Sequence, residues 1–215
     1  MAKKKDLICF DLDGTLIDST EAHVQSYLRA FKQNKLLTPS KKKLLSMFGV
    51  GVEEIISELF PELTPRKLKV VVQSHMDAHE ASKKLVKQIP HAVEALLKLK
   101  PHFRLGIVTN NHHDGALELL EYAKVPAKLF DVIIGSDEAR PKPSASEILL
   151  AEKLTNANAK YMVGDTIYDI KAGKRANCKT IGVLTGMHNM DQLMKAKADM
   201  LVSSLRIVPD LLLKK

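Results

Sequence analysis

The hydrophobic pattern divides the chain into three stretches. A short apolar run, LICF at residues 7–10, is bounded by Asp6 and by the turn-forming Gly14, and it reads as a buried strand. From about Asp18 to about Lys87 apolar residues recur three and four apart, with breaks at Thr38-Pro39, Gly49 to Gly51, Pro61 and Pro65. That stretch reads as helical throughout, with no strand. After Pro90 the character alternates: a helix near 91–100, strand RLGIVT, a helix near 114–124, strand DVIIG and a helix near 144–154. The series continues with strand KYMVG, a helix near 168–176, strand TIGVL, a helix near 190–197, a short strand DMLV and a terminal helix near 205–213.

Such a βαβα succession predicts an α/β fold: a doubly wound, mostly parallel sheet with helices on both faces. Residues 1–17 and 88–215 are expected to form this core, with 18–87 an all-helical insertion after the first strand. In open α/β sheets ligands bind beyond the carboxyl ends of the strands, where the strand order reverses. The residues following each strand are therefore the candidates for chemistry.

They are unusually polar. The first strand ends FDLDGT, which sets Asp11 and Asp13 two residues apart. Two acids so close call for a cation, or for one of them to hold a proton. Strand RLGIVT delivers Thr109 and Asn110, a hydroxyl and neighbouring amides suited to phosphate oxygens. After DVIIG come Arg140 and Lys142, cations at the same rim, and strand KYMVG leads into Gly164-Asp165-Thr166 and Asp169. Acids from two strand ends make a hard, oxygen-rich nest for Mg²⁺. Singly, an Asp after a strand is most often a helix cap or turn residue; it is the set that points to a site.

Composition narrows the classes. At 45% hydrophobic and 27% charged, the 215 residues match a folded globular protein, which excludes wholesale disorder. No apolar run reaches the roughly 20 residues needed to cross a bilayer. The opening MAKKKDLICFDLDGT lacks a signal-peptide pattern, so the expected location is the cytoplasm, without a membrane partner. Cys9 and Cys178 lie in or near apolar runs without a CxxC, and are expected to be reduced packing residues. The net charge of +8 favours an anionic ligand. Nucleic acid is not expected: the basic groups, such as Lys3 to Lys5 and Lys41 to Lys43, are scattered and aromatics are only 5%.

In their order along the chain, DLDGTLIDS at 11–19, Thr109-Asn110, Lys142-Pro143 and GDTIYD at 164–169 resemble the haloacid dehalogenase-like hydrolase superfamily. The closing segments TIGVLTG and ADMLVSSLRIVPDLL extend the resemblance over nearly the whole chain, and the phosphoglycolate phosphatase-like members with a helical cap are most similar. The resemblance implies a Rossmann-like core with the insertion as a cap that closes over the site and selects substrate. It implies that Asp11 is the nucleophile forming an aspartyl-phosphate, and that Asp13 serves as acid and then base. It further implies Mg²⁺ held by Asp11, the backbone carbonyl of Asp13 and Asp165, with Asp169 supporting that shell through water or Lys142. Thr109, the Asn110 backbone and Lys142 would bind the transferring phosphoryl group.

The expected activity is a Mg²⁺-dependent phosphatase acting on a small phosphorylated metabolite, as a monomer or weak homodimer. Alternatives within the fold are a β-phosphoglucomutase-like phosphotransferase and a pyrophosphatase. The mutase is disfavoured because such members usually carry an acid where this chain has Gly164. Carbon–halogen cleavage would not need Asp13, and phosphonate cleavage would need a cap lysine, whereas Lys41 to Lys43 read as a solvated face. A receiver-like phosphate-binding module would need neither Asp13 nor an insertion.

Two departures from the family pattern stand out: Ser144-Ala145 follows Pro143 where a second proline is frequent, and His91 follows Pro90 where glycine is frequent. His91 is expected to be exposed at a helix start. His75 and His79, four apart, are expected to be a surface pair rather than a zinc site, for want of a third ligand. His112 and His113 read as loop histidines beside the site, and Phe48 to Gly51 as a cap loop or a helix terminator.

Overall fold

The apolar run at residues 7–10 becomes β1 (Leu7–Phe10), all four side chains buried. A two-residue β2 (Ile17–Asp18) leads into four helices, α1 (Thr20–Gln33), α2 (Lys41–Leu45), α3 (Val52–Leu59) and α4 (Pro65–Ser82), and β3 (Lys87–Gln88) follows them. The remainder alternates: α5 (Ala92–Leu99), β4 (Arg104–Val108), α6 (His113–Tyr122), β5 (Val132–Ile134), α7 (Ser146–Thr155), β6 (Ala159–Gly164), α8 (Ile167–Arg175), β7 (Lys179–Val183), α9 (Met190–Lys195), β8 (Met200–Val202) and α10 (Ile207–Leu213). This is a computed structural model that describes residues 5–48 and 51–214. Part of the Lys3 to Lys5 group and part of the Phe48 to Gly51 loop lie outside the described residues.

The chain divides into two units, Met1–Asp18 with Lys87–Lys215, and Ser19–Val86. In the first, six parallel strands are ordered β5-β4-β1-β6-β7-β8. The strand order reverses at β1, which pairs with β4 on one side and β6 on the other, so Phe10 lies beside both Ile107 and Val163. A crevice at the carboxyl end of β1 is therefore the place where ligands bind in such sheets. Cys9, Val108, Ile134, Ile148, Met162 and Ala172 fill the layer under α7 and α8, and both cysteines are free and buried as expected. The short β2 and β3 pair antiparallel where the chain leaves this unit and returns to it, a ladder absent from the helical reading of 18–87.

The second unit is helical because its apolar residues recur at helical spacing on facing surfaces. Val24, Tyr27 and Phe31 of α1 meet Val71 of α4 and Ile55 and Ile56 of α3 in one buried cluster. The Thr64 hydroxyl accepts from the Lys67 N–H and Pro65 opens the first turn, which sets the start of α4. Lys41, Lys42 and Lys43 are exposed, and Lys41 pairs with Glu21 at 2.7 Å.

The surface-pair expectation for the histidines does not hold. His75 is 1% exposed and its ring packs 4.1 Å from that of Tyr27, because its position on α4 faces α1 rather than water. His91, by contrast, is exposed and bonds Glu94, and it adopts φ 67, the left-handed conformation that glycine takes more easily. No described helix is long and apolar enough to cross a membrane.

Candidate active site

The residues just past β1, β4, β5 and β6 converge. Asp11 continues β1 with its N–H on the Val163 carbonyl, and its side chain is buried. Leu12 turns into the core, so Asp13 lies on the other side of the chain from it, half-buried at the rim. Gly14 then turns the chain at φ 76; a Cβ there would stand 2.5 Å from Asp165 Oδ2, so only glycine leaves room for that carboxylate.

Lys142, after β5, reaches the base of the site. Its ammonium donates to Asp11 Oδ1 at 2.5 Å and to Asp169 Oδ1 at 2.7 Å, and all three side chains are buried. The backbone of Lys142 is clamped from β4: its N–H donates to Asn110 Oδ1 at 2.9 Å, and Asn110 Nδ2 donates to its carbonyl at 3.1 Å. Thr109 is buried, and its hydroxyl accepts from the Asn111 N–H at 3.2 Å. Asp165 accepts the Thr15 hydroxyl at 3.0 Å and the Met187 N–H at 2.8 Å. Asp169 closes a capping box at the start of α8, its Oδ2 accepting from the N–H and hydroxyl of Thr166.

The structure thus brings together Asp11, Lys142, Asp165 and Asp169, with Thr109 and Asn110 flanking them. It leaves Arg140 exposed. His112 is exposed ahead of α6, and His113 turns to Glu138 at 2.9 Å.

Sequence reasoning passed over four participants. Asn111 Nδ2 donates to Asp13 Oδ2 at 2.5 Å and so orients the second acid. Thr15 and the Met187 amide hold Asp165. The fourth is Glu147 on α7, fully buried, with neither carboxylate oxygen hydrogen-bonded. No local signal marked it, since α7 also carries Glu152 and Lys153 and only its packing against the sheet buries position 147.

Electrostatics follow from burial. Burial opposes charge on Lys142, but the carboxylates of Asp11 and Asp169 outweigh it and raise its pKa. Burial raises the Asp11 carboxyl while Lys142 works against it. Where the two share one proton it resides on the more basic amine, leaving an ion pair. Burial, with Asp169 beside it, pushes Asp165 up to about 7, against the bonds from Met187 and Thr15. A second positive charge would relieve this. One oxygen each of Asp11, Asp165 and Asp169 lies within 4.8 Å of the others, an all-oxygen donor set that suits a hard divalent cation such as Mg²⁺.

Glu147 is likewise raised to about 8, by burial and then by Asp169, with Lys142 opposing. Between the unfolded value of about 4.3 and about 8, the folded state holds a proton that the unfolded state has released, so stability falls as pH rises through that window. Glu147→Gln should remove this slope and stabilise the protein at pH 8 by a few kcal/mol relative to wild type, with little difference near pH 4. Urea unfolding at the two pH values measures it, and parallel wild-type and variant curves would contradict the assignment.

Residues 8–183 match the haloacid dehalogenase-like hydrolase family. The chain belongs to that family. Among relatives, a probable phosphatase, IndB, of Dickeya dadantii is 29% identical over 93% of this chain and 90% of its own length. The pyrophosphatase PpaX of Bacillus velezensis is 30% identical over 84% of each. A solved structure described as a predicted phosphoglycolate phosphatase from Haemophilus somnus shares the fold, with TM-score 0.87, 21% identity and coverage of 98% of this chain and 99% of that one. As a haloacid dehalogenase-like hydrolase the chain is an enzyme of the phosphatase class.

Proposed function

We propose that this chain hydrolyses a small phosphorylated metabolite through a phosphoryl group carried on Asp11, with Mg²⁺ as cofactor. The observation that carries the reading is the placement of Asp11: at the end of the central strand, paired with Lys142 at 2.5 Å, and sharing its donor-atom cluster with Asp165 and Asp169.

In the first half-reaction an Asp11 carboxylate oxygen attacks phosphorus and the phosphorus–oxygen bond to the leaving group breaks. Asp13, in its acid form and oriented by Asn111, passes its proton to the departing alkoxide. In the second half Asp13, now a carboxylate, takes a proton from water whose oxygen attacks the same phosphorus, and Asp11 leaves as free carboxylate. Thr109, the Asn110 backbone and Lys142 bind the phosphoryl oxygens as charge moves among them. Asp11, Asp165 and the Asp13 carbonyl would hold Mg²⁺, with Asp169 behind them. When bound, the ion would offset phosphate charge and orient the phosphoryl group.

Gly164 supports hydrolysis over a mutase. A side chain there would place its Cβ 2.3 Å from Asp169 Cγ, so the acid usual in mutases has no room while Asp169 caps α8. Inorganic pyrophosphate is a second candidate substrate, favoured by the likeness to PpaX, since phosphate can leave in place of an alkoxide. The unit Ser19–Val86 is the proposed cap, to which we assign substrate choice.

The test is phosphate release from a panel of phosphoglycolate, sugar phosphates, nucleoside monophosphates and pyrophosphate, with and without Mg²⁺. Release that requires Mg²⁺ and singles out one class is expected. Absence of release from every compound, together with no phosphoenzyme formed from acetyl phosphate, would overturn the reading.

A further inference from the structure

The helical unit holds a histidine cluster that takes no part in the proposed reaction. His23 and Tyr27 lie four apart on α1, and His75 and His79 four apart on α4, so each helix presents its pair on one face. The rings meet across the two helices in a two-by-two ladder. His23 stacks on His79 with centroids 4.6 Å apart, Tyr27 packs on His75 at 4.1 Å, and His75 and His79 are 6.1 Å apart. Phe48 covers one side, 6.0 Å from His23 and 5.9 Å from Tyr27.

His75 is the anomaly. It is 1% exposed, and neither ring nitrogen has a hydrogen-bond partner. Buried polar groups are nearly always satisfied, and one that is not calls for an ion or water in that place. With no carboxylate among the rings packed on it, the buried imidazole has nitrogens open to an ion, and a neutral ring nitrogen is the form that ligates metal.

We propose that His23, His75 and His79 form a site for a borderline divalent transition metal of the Zn²⁺ type, separate from the acid cluster in the α/β unit. The i, i+4 pair on α4 is a ligand spacing that lacked a third member in the sequence; α1 supplies it. Two imidazoles on one zinc ion, with Zn–N of about 2.0–2.1 Å, have ring centroids roughly 5 Å apart, which the observed 4.6 and 6.1 Å bracket. An all-nitrogen set selects Zn²⁺ or Co²⁺ over Mg²⁺ and Ca²⁺, which take oxygen ligands. Glu80, the nearest carboxylate in sequence, is exposed and paired with Lys83 at 2.5 Å. Among the described residues only Asp11, Asp165 and Asp169 already present one ligand atom each within 4.8 Å of one another, so the ion must turn at least one imidazole to gather the three.

The experiment is calorimetric titration of Zn²⁺ into the full chain with the acid cluster saturated by Mg²⁺, repeated with Co²⁺ followed by its visible absorption. Wild type should bind one equivalent and show a raised thermal midpoint with Zn²⁺. His23→Gln and His79→Gln, both at half-buried positions and checked for helix content by circular dichroism, should each weaken binding by at least about tenfold and lose the thermal shift. Asp165→Asn should leave Zn²⁺ binding intact. No binding in wild type, equal binding in both histidine variants, or loss of binding in Asp165→Asn would overturn the proposal.

Discussion

Asp11→Asn is expected to remain folded and to release phosphate at least about 10⁴-fold more slowly than wild type. The amide has no anionic oxygen to attack phosphorus, yet it is the same size, and its oxygen can still accept the Lys142 hydrogen bond that Asp11 accepts at 2.5 Å. Loss of function therefore comes without loss of packing, which unchanged circular dichroism and thermal unfolding would register. Asp13→Asn should fail differently, because the proposed nucleophile survives while the group assigned to protonate the alkoxide and then activate water is gone. With a substrate whose leaving group needs no proton, Asp13→Asn should accumulate phosphoenzyme, seen as protein mass increased by one phosphoryl group. Asp11→Asn should accumulate none. Near-wild-type turnover in Asp11→Asn would reject the nucleophile assignment outright.

The second large effect belongs to Lys142. Its side chain is 3% exposed and bonds two buried carboxylates, so Lys142→Met leaves Asp11 and Asp169 without the charge that balances them. Breaking a buried pair from one side costs about 3–5 kcal/mol, since the remaining charge stays desolvated. The sign of the pH dependence follows. Without the lysine, which works against burial at Asp11, the folded-state pKa of that carboxyl rises further, so the deficit is smallest at low pH, where Asp11 is protonated, and grows as pH increases above the ordinary carboxylate range. Added Mg²⁺ should recover more stability in Lys142→Met than in wild type, because it supplies positive charge to the same oxygens. Activity should remain at least about 10³-fold down even with Mg²⁺, because in the proposed reaction the ammonium binds the phosphoryl group as well as balancing the two carboxylates. Thermal melts at two pH values with and without Mg²⁺, alongside phosphate release, test each part. A variant as stable and as active as wild type would remove Lys142 from the site.

Much of the site is legible along the chain because the chemistry of a parallel sheet sits where strands end. Asp11 and Asp13, Thr109 and Asn110, Lys142, and Asp165 with Asp169 are each marked locally by an apolar run that stops at a polar residue. What they bond is not marked. Asn111 looks like a repeat of Asn110, yet one holds Asp13 and the other clamps the Lys142 backbone, a division set by which way each side chain leaves the end of β4. Glu147 sits five residues beyond Lys142 and would pass for an exposed helix residue; only the packing of α7 against the sheet buries it. His75 is the reverse error. Next to polar neighbours it looks superficial, and the close packing of α1 against α4 encloses it beside Tyr27.

The alternation of strands and helices, the helical insertion and the residue types waiting at each strand end are written in the local pattern of the chain, because apolar period, turn residues and caps act over a few positions. The rest depends on how the strands assemble. The order β5-β4-β1-β6-β7-β8 puts β1 between β4 and β6 and so turns four separate loops into one charged cluster. That order depends on contacts between residues far apart in the chain, as in the 131 positions between Asp11 and Lys142, and on which buried charges can find partners there. Pairings of that kind carry no local period, so they emerge only when the whole sheet is assembled.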